Sequence, residues 1–179
     1  MKLRLGNAAD IPAMIELERR CKTATHWSEA QYRAAVAGGA NASPSRLVLI
    51  AEDEPDSLAE GRSQDKPTQD KPPLIAFLVA RHIGVEWELE NIVVDPTSRR
   101  KGVGTHLLAE LLKRAKASGS ESVHLEVRES NEGARAFYEK CDFEQAGRRK
   151  RYYADPVEDA LIYSLRLSQT GSQNDTEVP

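Results

Sequence analysis

Long apolar runs are missing from this 179-residue chain. Nothing in it approaches the ~18–20 apolar residues that span a bilayer, and Met1 to Asp10 holds no signal-peptide core. A membrane protein is excluded on this reading, and a soluble, cytoplasmic one is expected. Cysteine is nearly absent: Cys21 and Cys141 stand 120 positions apart and read as reduced, buried thiols rather than a disulfide framework. The four histidines (His26, His82, His106, His124) never fall at metal-ligand spacings with each other or with the cysteines, which excludes a zinc site. Neither sign of charge dominates: 25 basic and 28 acidic residues leave a net charge of −3, with no global pull toward nucleic acid. What remains is a globular composition, 40% hydrophobic and 30% charged. A chain of this size buries roughly 70% of its unfolded surface and needs no metal or disulfide staple.

Along the chain, Lys2 to Leu5 reads as a short strand running into Asn7, a good N-cap with Asp10 at the capping-box position. Ile11, Met14, Ile15 and Leu17 then predict a helix to about Cys21. Ser28-Glu29-Ala30-Gln31 is a capping box opening a second helix, which Gly38-Gly39 closes, and Arg46 to Ala51 is a strand. Residues 52–73 break the composition, with seven acids, three bases, four prolines and a repeated Gln-Asp-Lys-Pro. Proline and charge without aromatics bury too little surface to order, so this stretch reads as a flexible insertion at a hairpin tip.

Strands resume at Leu74–Gly84 and Glu86–Asp95. In the second, Trp87 and Leu89 set an apolar phase, but the next residue in phase is the polar Asn91, while Ile92 and Val94 carry apolar character in the opposite phase. Two readings fit: a β-bulge that shifts the period by one, or a strand end buried on both faces. Leu107, Leu108, Leu111, Leu112 and Ala115 predict a helix ending at Gly119, and Val123, Leu125 and Val127 a strand. A short helix over Asn131–Cys141 follows, then strands over Phe143–Tyr153 and Asp159–Leu167. Residues 168–179 are polar and have no reason to fold. Crossovers amid hairpins mean a mixed sheet with helices on its faces, an α/β architecture.

Three clusters could carry chemistry. Arg99-Arg100-Lys101-Gly102-Val103-Gly104-Thr105 joins a strand end to a helix start, where glycines permit close approach of a ligand and unpaired N–H groups suit a pyrophosphate. It matches neither a Walker loop nor a dinucleotide fingerprint, and the alternative is a glycine turn with solvated cations. Glu126, on the polar side of its strand, is either a partly desolvated general base or half of a cross-strand charge pair with an arginine or lysine. Tyr138, twelve residues on, could face the same sheet edge. The strip Arg148 to Tyr153 mixes cations and aromatics, which fits nucleic-acid contact or, more simply, a solvated strand edge.

Taken together, these residues resemble the GNAT superfamily of acetyl-CoA-dependent N-acetyltransferases. The resemblance is carried by Arg99-Arg100-Lys101-Gly102-Val103-Gly104 and Glu90-Asn91-Ile92-Val93-Val94-Asp95-Pro96, while Leu125 to Asn131 and Phe137-Tyr138-Glu139 are similar to its N-terminal-alanine-acetylating branch. It implies one domain over 1–167 with 52–73 inserted and 168–179 a disordered tail, built on a central mixed, mostly antiparallel sheet of six to seven strands with about four helices. It further implies acetyl-CoA as cosubstrate and no metal. Glu126 would be the general base and Tyr138 the general acid. Ile92, Val93 and Val94 would hold the acetyl-pantetheine arm through backbone groups, Arg99 through Thr105 the pyrophosphate, and Asn131 would touch the cofactor. Trp27-Ser28-Glu29, Tyr152-Tyr153 and Glu158-Asp159-Ala160 are similar to the branch that acetylates the N-terminal alanine of a ribosomal protein. That likeness makes Trp27, Tyr152 and Tyr153 acceptor-binding candidates. The expected partners are acetyl-CoA and an amine such as a protein N-terminus, with no membrane and no direct nucleic acid. Acetylation of lysine, a polyamine or a small amine, or a non-catalytic CoA- or RNA-binding module, are the alternatives. The family's usual leucine-glycine-phenylalanine is replaced here by Cys141-Asp142-Phe143.

Overall fold

The computed structural model describes residues 1–21, 26–38, 45–53 and 72–168. Its elements in chain order are β1 (Lys2–Leu5), α1 (Ile11–Arg19), α2 (Glu29–Ala37), β2 (Arg46–Glu52), β3 (Leu74–Ile83), β4 (Glu86–Val94), α3 (Val103–Ala117), β5 (Ser122–Arg128), α4 (Glu132–Lys140), β6 (Glu144–Ala154) and β7 (Val157–Arg166). The seven strands form one sheet in the order β1-β2-β3-β4-β5-β7-β6. Every neighbouring pair is antiparallel except β4 and β5.

Local signals place most of these elements. Ser28 accepts from Gln31 N while Gln31 Oε1 accepts from Ser28 N at 2.8 Å, the expected capping box of α2. Asn7 and Asp10 form a second box, but it opens a short 3-10 turn over Ala8–Asp10 before α1 begins at Ile11. Pro12 lies in the first turn of α1, where a missing N–H costs nothing. Strands β2 and β3 pair antiparallel down to Glu52↔Leu74, so the 52–73 insertion springs from a hairpin end. Residues 54–71 and 169–179, expected to be flexible, lie outside the described residues.

Helices cover the two faces of the sheet unequally. On one face, Leu107, Leu108 and Leu111 of α3 and Tyr138 of α4 pack on Leu49, Leu78, Trp87, Leu89, Leu125 and Tyr163. On the other, Ile11, Met14 and Leu17 of α1 and Tyr32 of α2 pack on Val48, Ile50, Phe77, Val79 and Val93. Trp87 and Leu89 therefore face α3 while Val93 faces α1, although all three share one phase in the sequence. The pairing explains this: Val79 opposes Asn91 and Ala80 opposes Leu89, leaving Glu90 without an opposite. A bulge at Glu90 is thus the correct one of the two readings, and it turns Asn91 toward the α1 side.

Asn91 is 6% exposed there, and its Nδ2 donates to Glu18 Oε1 at 2.9 Å and to the Tyr32 hydroxyl at 3.4 Å. Glu18, 2% exposed, also accepts from the Trp27 N–H at 2.9 Å through Oε2. Burial, and next the Glu18 charge, push the Tyr32 phenol well above its ordinary value. The sequence reading missed this cluster because Glu18 looks like one more polar residue of an amphipathic helix. Removing its carboxylate with Glu18→Ala leaves the Trp27 N–H without its acceptor and the buried Asn91 amide with only its longer bond to Tyr32, so urea denaturation should show a loss of about 2–3 kcal/mol. A loss below about 0.5 kcal/mol would mean that the cluster does not hold α1 to the bulge.

Candidate active site

A gap in the sheet defines the site. Strand β4 pairs with β5 only from Glu86↔Ser122 to Leu89↔Leu125. Past the Glu90 bulge the two strands part. Residues Asn91 to Val94 continue along β3, while Glu126 to Arg128 continue along β7. The result is a fork between two parallel strands, with the backbone edge of Ile92, Val93 and Val94 on one side. Such an edge offers main-chain donors and acceptors to an extended ligand, as any unpaired strand edge does.

The glycine loop lies at the open end of the fork. Asp95 closes β4 by accepting from Thr97 N at 2.9 Å and Thr97 Oγ1 at 2.7 Å. Burial opposes the Asp95 charge, but these hydrogen bonds and the Arg20 and Arg99 charges outweigh it and hold the carboxyl below its usual range. Gly102 then takes φ +79° at the N-terminus of α3, and no side chain caps the helix. The first turn, Val103 to Thr105, thus presents backbone N–H groups at the positive end of a 15-residue helix, a ready anion site. Gly104 faces Phe137, whose Cζ would lie 3.4 Å from an added Cβ, so its small size keeps α3 close to α4. Arg100 (φ +60°) and Lys101 are exposed beside it. Arg99 is engaged elsewhere: its Nε donates to the Val94 carbonyl at 3.2 Å and its Nη2 to Cys21 Sγ at 3.4 Å. Asn131 caps α4, its Oδ1 accepting from Ala134 N at 3.2 Å.

Glu126 is the first β5 residue beyond the pairing with β4. Its neighbours Leu125 and Val127 are buried under α3, so alternation turns Glu126 to the opposite face. There it meets Arg149, whose Nε lies 3.1 Å from Glu126 Oε1. The charge-pair reading of Glu126 is therefore realised. Tyr152 and Tyr153 join it. A hydrogen bond to Glu126 and then burial raise the Tyr152 phenol. Burial first, and the Glu126 charge second, push Tyr153 up to about 12. The Arg128 guanidinium lies 4.0 Å above the Tyr153 ring, a cation–π contact that fixes its orientation. Two of the strip's four cations are paired, Arg148 with Glu129 and Asp159 and Arg149 with Glu126.

Tyr138 of α4 packs on the α3 side of the sheet, 6% exposed among Phe137, Phe143 and Tyr163. Burial, with smaller effects from Tyr153 and Cys141, raises its phenol well above the ordinary value. Glu126 leaves β5 on the side away from the α3 core while Tyr138 packs within that core, and Tyr153 lies within electrostatic reach of both. Trp27 is set back from this pair, its ring 5.4 Å from that of Tyr32.

Residues 11–143 match the model of the acetyltransferase (GNAT) family. The chain belongs to that family. It is 32% identical over 164 residues to the [ribosomal protein bS18]-alanine N-acetyltransferase of Salmonella typhimurium, covering 90% of this chain and 95% of that one. It is 41% identical over 81 residues to the N-alpha-acetyltransferase RimI of Mycobacterium tuberculosis, covering 45% and 48%. Among solved structures, the ribosomal-protein-S18-alanine N-acetyltransferase of Escherichia coli superposes with a TM-score of 0.69 at 28% identity, covering 96% and 97%. Arabidopsis thaliana NAA60, solved with a bisubstrate analogue, shares the fold with a TM-score of 0.73 at 16% identity, over 93% and 99%. This GNAT chain is therefore an N-acetyltransferase, and acetyl-CoA is the acetyl donor of its family.

The residues present fit acetyl-CoA: an uncapped 15-residue helix start behind a positive-φ glycine, and an open strand edge of β4 leading from it. Acetyl-CoA and CoA should each raise the melting temperature, by an amount equivalent to about 2.7 kcal/mol at 100 times Kd. Gly102→Val puts a branched side chain at φ +79°, which strains the turn and crowds its N–H groups. The shift should vanish in that variant while its circular dichroism stays wild-type. A full shift in Gly102→Val would remove this loop from the cofactor site.

Proposed function

We propose that this GNAT enzyme acetylates the N-terminal α-amine of a protein, a ribosomal protein such as bS18 being the leading candidate. The observation that carries the reading is the clustering of an acidic group with two tyrosines, Glu126 with Tyr152 and Tyr153, the second of which also lies within electrostatic reach of Tyr138. The relatives named for N-terminal alanine acetylation support it. The whole of 1–167 would act as one catalytic domain.

The amine nitrogen must be neutral to attack the thioester carbonyl carbon. An α-amine (pKa ~7.7–8.0) reaches that state far more readily than a lysine (~10.4). Glu126, directly or through water, takes the ammonium proton. Backbone N–H groups of Ile92 to Val94 hold the acetyl-pantetheine arm and polarise its carbonyl as an oxyanion site does. The carbon–nitrogen bond forms, the carbon–sulfur bond breaks, the thiolate takes a proton from Tyr138, and the second proton shed by the nitrogen as it becomes an amide replaces the one Tyr138 gave. Burial makes the phenolate costly, but the same dry surroundings destabilise the thiolate, so the transfer is helped from the sulfur side. The α3 N-terminus with Arg100 and Lys101 holds the pyrophosphate, and the Asn131 segment borders it. Trp27 flanks the acceptor from the α1 side.

Glu126→Gln keeps the shape and cannot accept a proton, so kcat should fall ~10²–10⁴-fold, with partial recovery at high pH as more amine becomes neutral. Tyr138→Phe should lose rate without that recovery, because its deficit is at sulfur. Near-normal kcat in both variants would overturn the assignment. Alanine- and serine-initiated peptides should outrun lysine peptides with blocked N-termini; equal rates would place the enzyme in another GNAT branch.

A further inference from the structure

The Arg149–Glu126 pair has an unusual origin. Strand β7 lies between β6 and β5, so Arg149 reaches across two strand spacings, about 9.5 Å, to touch Glu126. It is the last residue in register before the β6–β7 ladder breaks, from Arg149↔Ala160 to Tyr153↔Glu158. Its side chain is 56% exposed while that of Glu126 is 17% exposed. Its guanidinium carbon lies 5.5 Å from the Tyr152 ring centroid, so the cation sits between a carboxylate and an aromatic face. Arg148 differs, being locked by two carboxylates, Glu129 and Asp159.

This inference rests on the reading of Glu126 as the group that takes the amine proton. At pH 7 most of an α-amine is an ammonium ion, a monovalent N–H donor seeking that same carboxylate. Two cations cannot share one oxygen without repulsion. We propose that Arg149 is an internal stand-in for the acceptor's ammonium group: it occupies Glu126 in the empty enzyme and is displaced when the acceptor binds. An exposed ion pair of this kind is weak enough to exchange. It also spares a partly buried carboxylate from lying unpaired between turnovers. Arg149 is thus a positioning residue that sets acceptor affinity through Glu126. The other groups facing this spot are Glu88 from β4, His124 and Arg128 two residues to either side along β5, and Tyr152 and Tyr153 from β6, while β7 presents Ile162 opposite Glu126 and supplies Glu158, which holds Arg128 at 3.2 Å.

The test is titration calorimetry of the full chain with CoA bound, at pH 7. The probes are an alanine-initiated pentapeptide and the same peptide N-terminally acetylated, which carries no ammonium. Arg149→Met should tighten binding of the free peptide about 2- to 5-fold, the range an exposed pair is worth. Arg149→Lys, which restores a cation, should return the affinity toward wild type. Affinity for the acetylated peptide should not respond to either change. In a Glu126→Gln background, Arg149→Met should have no effect on the free peptide. Millimolar methylguanidinium should compete with that peptide in Arg149→Met. Unchanged or weaker binding of the free peptide by Arg149→Met would overturn the proposal, as would an equal gain for the acetylated peptide or a gain that persists with Glu126→Gln. A Glu126→Gln enzyme with wild-type kcat would instead overturn the base assignment, and that result is read independently of these affinities.

Discussion

One surplus residue in a strand organises this molecule. With Glu90 unopposed in β4, the chain rotates by half a period, and everything after it faces the other way. Trp87 and Leu89 stay in the α3 core, Asn91 and Val93 move to the α1 core, and Ile92 and Val94 pack back against the α3 side. The same rotation takes β4 out of register with β5, whose pairing stops at Leu89↔Leu125. A gap between two parallel strands in the middle of a sheet would normally close, because unpaired main-chain groups are costly. It persists here because each strand has a full partner on its far side, β3 for β4 and β7 for β5.

On the proposed assignment of Glu126 and Tyr138, the fork separates two tasks of acetyl transfer. Its α3 side is dry and aromatic, with Tyr138, Phe137 and Phe143, and leads to the positive end of α3. Its other side carries exposed ions and half-exposed phenols supplied by the β6–β7 hairpin. A thioester lying in the gap would meet an acid from one side and a base from the other, without either having to cross the sheet. The buried Glu18–Asn91–Tyr32 cluster ties the bulge to α1 and α2 at the point where the strand turns. The geometry of the fork therefore depends on residues that never touch a substrate.

The caps and the loop were legible in the sequence because each is a local pattern, and the bulge was legible as one of two readings that only the strand pairing decides. The slip from Trp87-Leu89 to Ile92-Val94, the Ser28–Gln31 box and the Gly102–Gly104 spacing need only a few neighbouring residues to state. Glu126 was found for the same reason, as a carboxylate between Leu125 and Val127, and its charge-pair partner was anticipated by type. The identity of that partner was not legible, because Arg149 meets Glu126 only once β7 is known to lie between β5 and β6. Glu18 and Asn91, 73 positions apart, escaped for a related reason. Nothing local distinguishes a glutamate that will be buried by another strand's amide from one that will face water. That Tyr153 of β6 lies within electrostatic reach of both Glu126 and Tyr138 was not legible either, since it too depends on where the β6–β7 hairpin folds.

Amide hydrogen exchange with and without CoA addresses the fork itself rather than any one side chain. If the open edge of β4 receives the pantetheine arm and the α3 start receives the pyrophosphate, CoA should slow exchange at Ile92 to Val94 and at Val103 to Thr105. Amides of β1 and β2, on the far side of the sheet, should be unaffected. Saturating CoA that protects other segments and leaves both of these stretches unchanged would contradict the account.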